Sequence, residues 1–125
     1  MIHSLDLKLK NWVKYNNGYF QIAALTEDFP YLNNDEFGHG IVSYDNIFGI
    51  ELTEDILVKC CGFEKPTDDN FGGYLSPKFQ NGRIRILNNK WWNGCWDTEI
   101  TYLHELQNLI HSLTKKELVI DLTKL

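Results

Sequence analysis

The stretch WVKYNNGYFQIAAL, residues 12–25, sets Asn17-Gly18 between two apolar runs. Asn-Gly accepts the positive φ angles of a two-residue type I′ turn, whose twist folds the flanking strands back on each other. A hairpin near the start of the chain is therefore the firmest constraint on the fold. Upstream, LDLKLKNWVKY alternates through Leu5, Leu7 and Leu9 before Trp12-Val13, which lengthens the first strand. YFQIAAL is the return strand. A loop rich in Asn, Asp and Glu follows, then another strand, HGIVSY. Four or five short strands within about 50 residues predict an SH3-like barrel or a curled antiparallel sheet over residues 1–50.

ELTEDILVKCCGF then changes period. Thr53 suits an N-cap, Glu54 and Asp55 suit the positive end of a helix dipole, and Ile56, Leu57 and Cys60 share a face. Gly62 fits the left-handed position after the last turn, with Phe63 folding back as its apolar partner. A polar loop, EKPTDDNFGG, leads into a second antiparallel sheet made of GYLSPKF, RIRIL and KWWNGCW, with Asn88-Asn89 turning between the last two. From Thr101, Tyr102, Leu106, Leu109, Ile110 and Leu113 recur at helical spacing, opposite His104, Glu105, Asn108, His111 and Ser112. ELVIDL closes the chain as a last strand. The order is α+β in one domain spanning residues 1–125, with an SH3-like half (1–50) and a helix–sheet–helix–strand half (51–125).

The 43% apolar and 14% aromatic content supplies a core, so general disorder is excluded. No run of about 18 apolar residues exists, and MIHSLDLKLKNW lacks a signal-peptide h-region. No membrane contact and a cytoplasmic location are expected. Cys60, Cys61 and Cys95 contain no CxxC and read as free buried thiols. A formal charge of −5 argues against a duplex nucleic-acid binder, which needs a basic face, but not against a small anionic ligand held by local donors.

The segments ELTEDILVKCCGFEK (51–65) and YLHELQNLIHSLTKKEL (102–118), with the opening LKLKNWVKYNNG, resemble a group of small proteins from phages and integrated elements of gut bacteria. Their pattern reads LRIGNWV-Y-NG, PLTEEILLKCGF and YVHQLQNLYFALTGEEL. The likeness runs from about residue 5 to residue 118 and is most specific in the closing helix. Lys115 stands where the pattern has glycine, which predicts a different helix end, and Ile110-His111-Ser112 replaces YFA. The group carries no established activity, so the resemblance implies a setting and no reaction. Small oligomeric phage proteins include sponges that sequester nucleotide signals of host immunity, which makes such a role an expectation by analogy.

Residues 81–97, NGRIRILNNKWWNGCWD, hold both arginines of the chain and three of its four tryptophans. Strand alternation puts Arg83 and Arg85 on one face and Ile84 and Ile86 on the other. That arginine face is either a solvated sheet surface or a clamp whose two guanidiniums, about 7 Å apart, hold a diphosphate. Trp91, Trp92 and Trp96 either fill a core or subunit interface, or stack on a ligand ring. His104 and His111 are seven residues apart, roughly 10 Å of helical rise, too far for one metal ion. His3 and His39 are isolated, and no metal site is expected. His104 and Asn108, four apart, belong to a solvated face or touch a ligand. A Cys95–His104 dyad can be drawn, but no nucleophile, phosphate-loop or dinucleotide motif is present.

These readings converge on a non-enzymatic binding protein without a cofactor, a homo-oligomer that captures a small nucleotide ligand. The expected ligand is NAD-derived, such as a cyclic ADP-ribose isomer or His-ADP-ribose. Its expected contacts are Arg83, Arg85, Trp91, Trp92, Trp96, Tyr102, His104 and Asn108. The alternative is an SH3-like module that binds a host protein through Trp12, Tyr15, Tyr19 and Tyr44.

Overall fold

Tyr15 and Gly18 face each other across the first hairpin, so its two-residue loop is Asn16-Asn17 and not Asn17-Gly18. Both asparagines take positive φ, 47° and 63°, which Asn tolerates better than other side-chain-bearing residues. Gly18 opens the return strand, where an added Cβ would stand 3.0 Å from the Phe20 ring. The structure, a computed structural model, describes residues 7–34, 38–67, 73–79, 82–91 and 98–125. Its architecture is α+β, with two antiparallel sheets accompanied by helices. Two compact units are present: Met1–Glu51 with Tyr102–Asn108, and Leu52–Thr101 with Leu109–Leu125.

In the first unit β1 (Trp12–Tyr15), β2 (Gly18–Leu25), β3 (Pro30–Asn34) and β4 (Gly38–Ile41) form an antiparallel meander in chain order. A 3-10 turn, Tyr44–Asn46, follows, capped by the Ser43 hydroxyl, which accepts from Asp45 N at 3.2 Å. The chain then returns to β1: Lys14 N donates to Phe48 O at 2.8 Å, and Phe48 N to Lys14 O at 2.9 Å. Val13, Ile22, Leu32 and Ile47, with Leu7, make the core beneath this sheet. Two expectations are corrected here. Leu7–Leu9 do not extend β1, because the chain turns instead, with Lys10 at φ 70° and Lys8 N donating to Asn11 Oδ1 at 2.8 Å, and Leu5 lies outside the described residues. Leu7 is buried and Leu9 is exposed. The supposed loop after β2 contains β3, where Leu32 supplies a core contact that its polar neighbours obscure.

In the second unit Thr53 caps a short helix as expected, its hydroxyl accepting from Ile56 N at 3.2 Å. The helix widens into a π-turn over Ile56–Cys60, closed by Cys61 N donating to Ile56 O at 3.0 Å. Gly62 takes φ 75° and Phe63 folds back into the interior, its N–H reaching Leu57 O at 2.9 Å. The second sheet has the order β5 (Tyr74–Leu75), β6 (Arg85–Leu87), β7 (Lys90–Trp91), β8 (Thr98–Glu99). Asn88 and Asn89, at φ 52° and 60°, form the expected turn between β6 and β7. β5 and β6 are shorter than GYLSPKF and RIRIL suggest, most of KWWNGCW lies outside the described residues, and β8 is an additional strand.

Helix α1 is Leu103–Thr114. Glu105 Oε1 accepts from Tyr102 N at 2.9 Å, which occupies a donor that the helix leaves open at its start. Its buried stripe is Leu103, Leu106, Gln107 and Ile110, and His104, expected on the solvated side, is only 3% exposed. At the far end Lys115 takes φ 60° and donates to His111 O at 2.8 Å, a left-handed cap where glycine is favoured. The expected last strand, 117–122, is absent. Leu118 is buried and Val119 is 84% exposed, so the segment alternates. No ladder forms on it among the described residues, and Asp121 N bonds Cys60 O at 3.0 Å before a 3-10 turn at Leu122–Lys124. Among the described residues no helix is long and apolar enough to cross a membrane.

Candidate functional site

The arginine segment of the second unit is held from both sides. Phe79 and Gly82 exchange backbone hydrogen bonds of 2.8 and 3.1 Å, and Gly82 takes φ 114°, a conformation that strains any residue with a Cβ. Ser76, fully buried, then fixes Ile84: its N–H donates to Ile84 O, and its hydroxyl oxygen accepts from Ile84 N, both at 2.9 Å. Arg83 is clamped between these two anchors at the backbone, while its side chain stays 37% exposed.

A groove of about 250 Å³ opens here, lined by Phe79, Gly82, Arg83, Ile84, Leu113 and Thr114. Its backbone groups at Phe79, Gly82 and Ile84 are engaged as described. The Thr114 hydroxyl donates to Ile110 O at 2.7 Å and accepts from Lys116 N at 3.1 Å. The groove is therefore mostly apolar, with Arg83 as the one charged residue of its lining. Such a lining receives an apolar or aromatic body that carries an anionic group.

Register extends the arginine face beyond the groove. Glu64 pairs with Leu75 through backbone bonds of 2.8 and 3.2 Å, and Leu75 pairs with Arg85 on its other side. Residues directly opposite in a ladder share a face, so Glu64, Leu75 and Arg85 form one row. The Glu64 carboxylate meets Arg83 as well, accepting from Nη1 at 3.3 Å. The arginine face thus carries its own anion.

Trp91 stands elsewhere. It pairs with Ile86, which in turn pairs with Tyr74, so it shares the buried face of Ile86 and lies opposite Arg85. Trp92 and Trp96, with Cys95, lie outside the described residues.

The remaining sequence-derived candidates belong to the first unit. Tyr102 lies against the Gly49 backbone, where an added Cβ would come within 2.5 Å of the ring, and it stacks on His104 with centroids 5.8 Å apart. Asn108 Oδ1 accepts from buried Asn11 Nδ2 at 2.9 Å. Beside it, Gln107 Oε1 accepts from Trp12 N at 2.8 Å and its Nε2 donates to Lys10 O at 3.0 Å. These contacts tie the QN pair of α1 to the KNW turn before β1.

Cys60 and Cys61 are buried. Burial, reinforced by Cys60, pushes the Cys61 thiol up to about 12, and burial followed by Asp121 and Asp55 raises Cys60. Both stay protonated near neutrality and are poor nucleophiles. Among the described residues no three His, Cys, Asp or Glu side chains gather to hold a metal ion.

Of the aromatic residues suggested for protein docking, Tyr15 and Tyr44 pack against the core, and the Tyr44 hydroxyl donates to Thr26 O at 2.6 Å. Trp12, Tyr19 and Tyr31 stand on the opposite face of the sheet, half-buried, with Ile41 beside them and exposed. Sequence reasoning missed Glu64, Phe79, Ile84 and Leu113 as site residues. Alternation had placed Ile84 on the face away from Arg83, and Glu64 gave no signal beyond its charge. No protein-family profile, curated protein or solved structure matches the chain.

Proposed function

We propose that the protein binds and sequesters a nucleotide-type ligand without turning it over, in the setting of a phage or an integrated element. The observation that carries this reading is the position of Arg83, which lines an apolar groove and meets Glu64, a residue in one row with Arg85. Phosphates would engage the arginine face, and a base or ribose would lie over Phe79, Ile84 and Leu113. The groove matches one ring system in size, which favours ADP-ribose-type signals over cyclic dinucleotides. Capture needs slow release and no reacting group, in keeping with raised thiol pKa values at Cys60 and Cys61.

The test is a thermal-shift screen against ADP-ribose, cyclic ADP-ribose isomers, His-ADP-ribose and cyclic dinucleotides. A ligand at 100 times its Kd adds about 2.7 kcal/mol, a rise of roughly 8–15 °C at this size. A rise that disappears in the Arg83→Ala/Arg85→Ala double variant, with the ligand recovered intact, supports capture. A flat response across the panel rejects it.

A second reading comes from the first unit. The meander, the 3-10 turn and the return of Phe48 to β1 suggest an SH3-like barrel, whose outward Trp12, Tyr19, Tyr31 and Ile41 suit a protein or peptide partner. Substituting both arginines would leave that activity unchanged.

A further inference from the structure

Glu64 has no role in a plain phosphate clamp, yet it occupies the arginine face. Two backbone hydrogen bonds to Leu75, of 2.8 and 3.2 Å, hold its strand position, and Arg85 lies across the same row. Its carboxylate sits 3.3 Å from Arg83 Nη1. The pair is open to water, at 37% exposure for Arg83 and 60% for Glu64, so its net worth is small and the guanidinium can change partner.

We infer that Glu64 is a resident anion that the ligand must displace, and that it sets which anions the site accepts. The inference rests on the capture reading above. A carboxylate already on Arg83 removes most of the gain available to an incoming monoanion, which merely replaces one single charge by another. A phosphomonoester or diphosphate brings more charge and more acceptor oxygens than one carboxylate, and so gains more from the guanidiniums it meets. The ion pair also offsets one of the two positive charges of the arginine face until a stronger anion arrives. Glu64 therefore discriminates against carboxylates and weakens capture of every anion by a modest factor.

Isothermal titration of ADP-ribose, AMP and benzoate into wild-type protein, Glu64→Gln, Arg83→Ala and Glu27→Gln tests this. Glu27 is exposed and is not among the groove's lining residues, so its substitution removes one charge and none of the contacts described here. Glu64→Gln should tighten ADP-ribose about fivefold and bring benzoate from undetected to measurable binding, while Glu27→Gln changes affinity less than twofold. Arg83→Ala should weaken phosphate ligands at least tenfold. Binding that is unchanged or weakened in Glu64→Gln overturns the role of Glu64 and leaves capture standing. Equal tightening by Glu27→Gln also overturns it, because the effect is then one of overall charge. If neither the wild type nor Glu64→Gln binds ADP-ribose or AMP, capture itself fails, and this inference with it.

Discussion

Gln107 in the first unit and Arg83 in the second are both polar residues with partners, and they are used in opposite ways. Gln107 is 3% exposed, and both ends of its amide hold backbone, at Trp12 N in β1 and at Lys10 O in the turn before it. Its partners cannot be exchanged for water without opening the fold. Arg83 has its backbone fixed by Gly82 and Ser76, but its guanidinium meets a carboxylate in solvent. One polar group completes a structure, and the other is positioned by a structure and left exchangeable. The difference separates residues that merely neighbour a site from those able to serve one. It places Asn108, bonded to buried Asn11, closer to Gln107 in kind.

The sharpest way to break this comparison is Gln107→Ala. It strands the Trp12 N–H, whereas Lys10 O keeps a bond from Gln21 Nε2 at 3.1 Å. We expect a loss of about 2–4 kcal/mol by urea denaturation, from lost packing plus an unsatisfied donor. A loss as small as that of Arg83→Ala, expected below about 0.5 kcal/mol, would erase the distinction. Next comes Gly49→Ala, which forces its Cβ against the Tyr102 ring and should cost about 1–3 kcal/mol. The same measurement on Gly49→Ala with Tyr102→Ala should recover part of that cost if the ring is the obstacle.

Much of the hairpin architecture was legible in the sequence, because paired asparagines, a threonine cap and Gly62 act through their immediate neighbours. The helix faces were harder. Alternation and helical spacing register apolar residues only, so they sent His104 outward and assigned Gln107 to neither face, although stacking or long-range hydrogen bonds hold each of them inside. The last strand failed for a related reason. Leu118 and Val119 alternate correctly, but a strand also needs a neighbour to pair with, which local pattern does not specify. At the candidate site the arginines stood out by their rarity. Glu64 is nineteen residues from Arg83 and could be found only through the register of β5 and β6.

Smaller effects sharpen the comparison at the chain's end. Lys115 holds φ 60° without the freedom of glycine, so Lys115→Gly should stabilise by about 0.5–1 kcal/mol in the same denaturation series. The smallest effect concerns Asp121, held below its ordinary 3.8 by hydrogen bonds from the Thr123 side chain and backbone. A carboxyl whose folded pKa is depressed contributes stability above its unfolded pKa and loses it as the pH falls through the folded value. Asp121→Asn should therefore flatten the stability profile only below about pH 4, as read by thermal melts across that range.

The π-turn has a consequence for how this chain can change in length. Its closing bonds run from Cys61 to Ile56 and from Phe63 to Leu57, each one residue longer than an α-helix with a glycine cap requires. Removing one cysteine would shorten both spans to the ordinary count and still leave Gly62 to reverse the chain. The second cysteine is then a residue beyond that count, stored as a bulge while the helix cap and the buried phenylalanine keep their places.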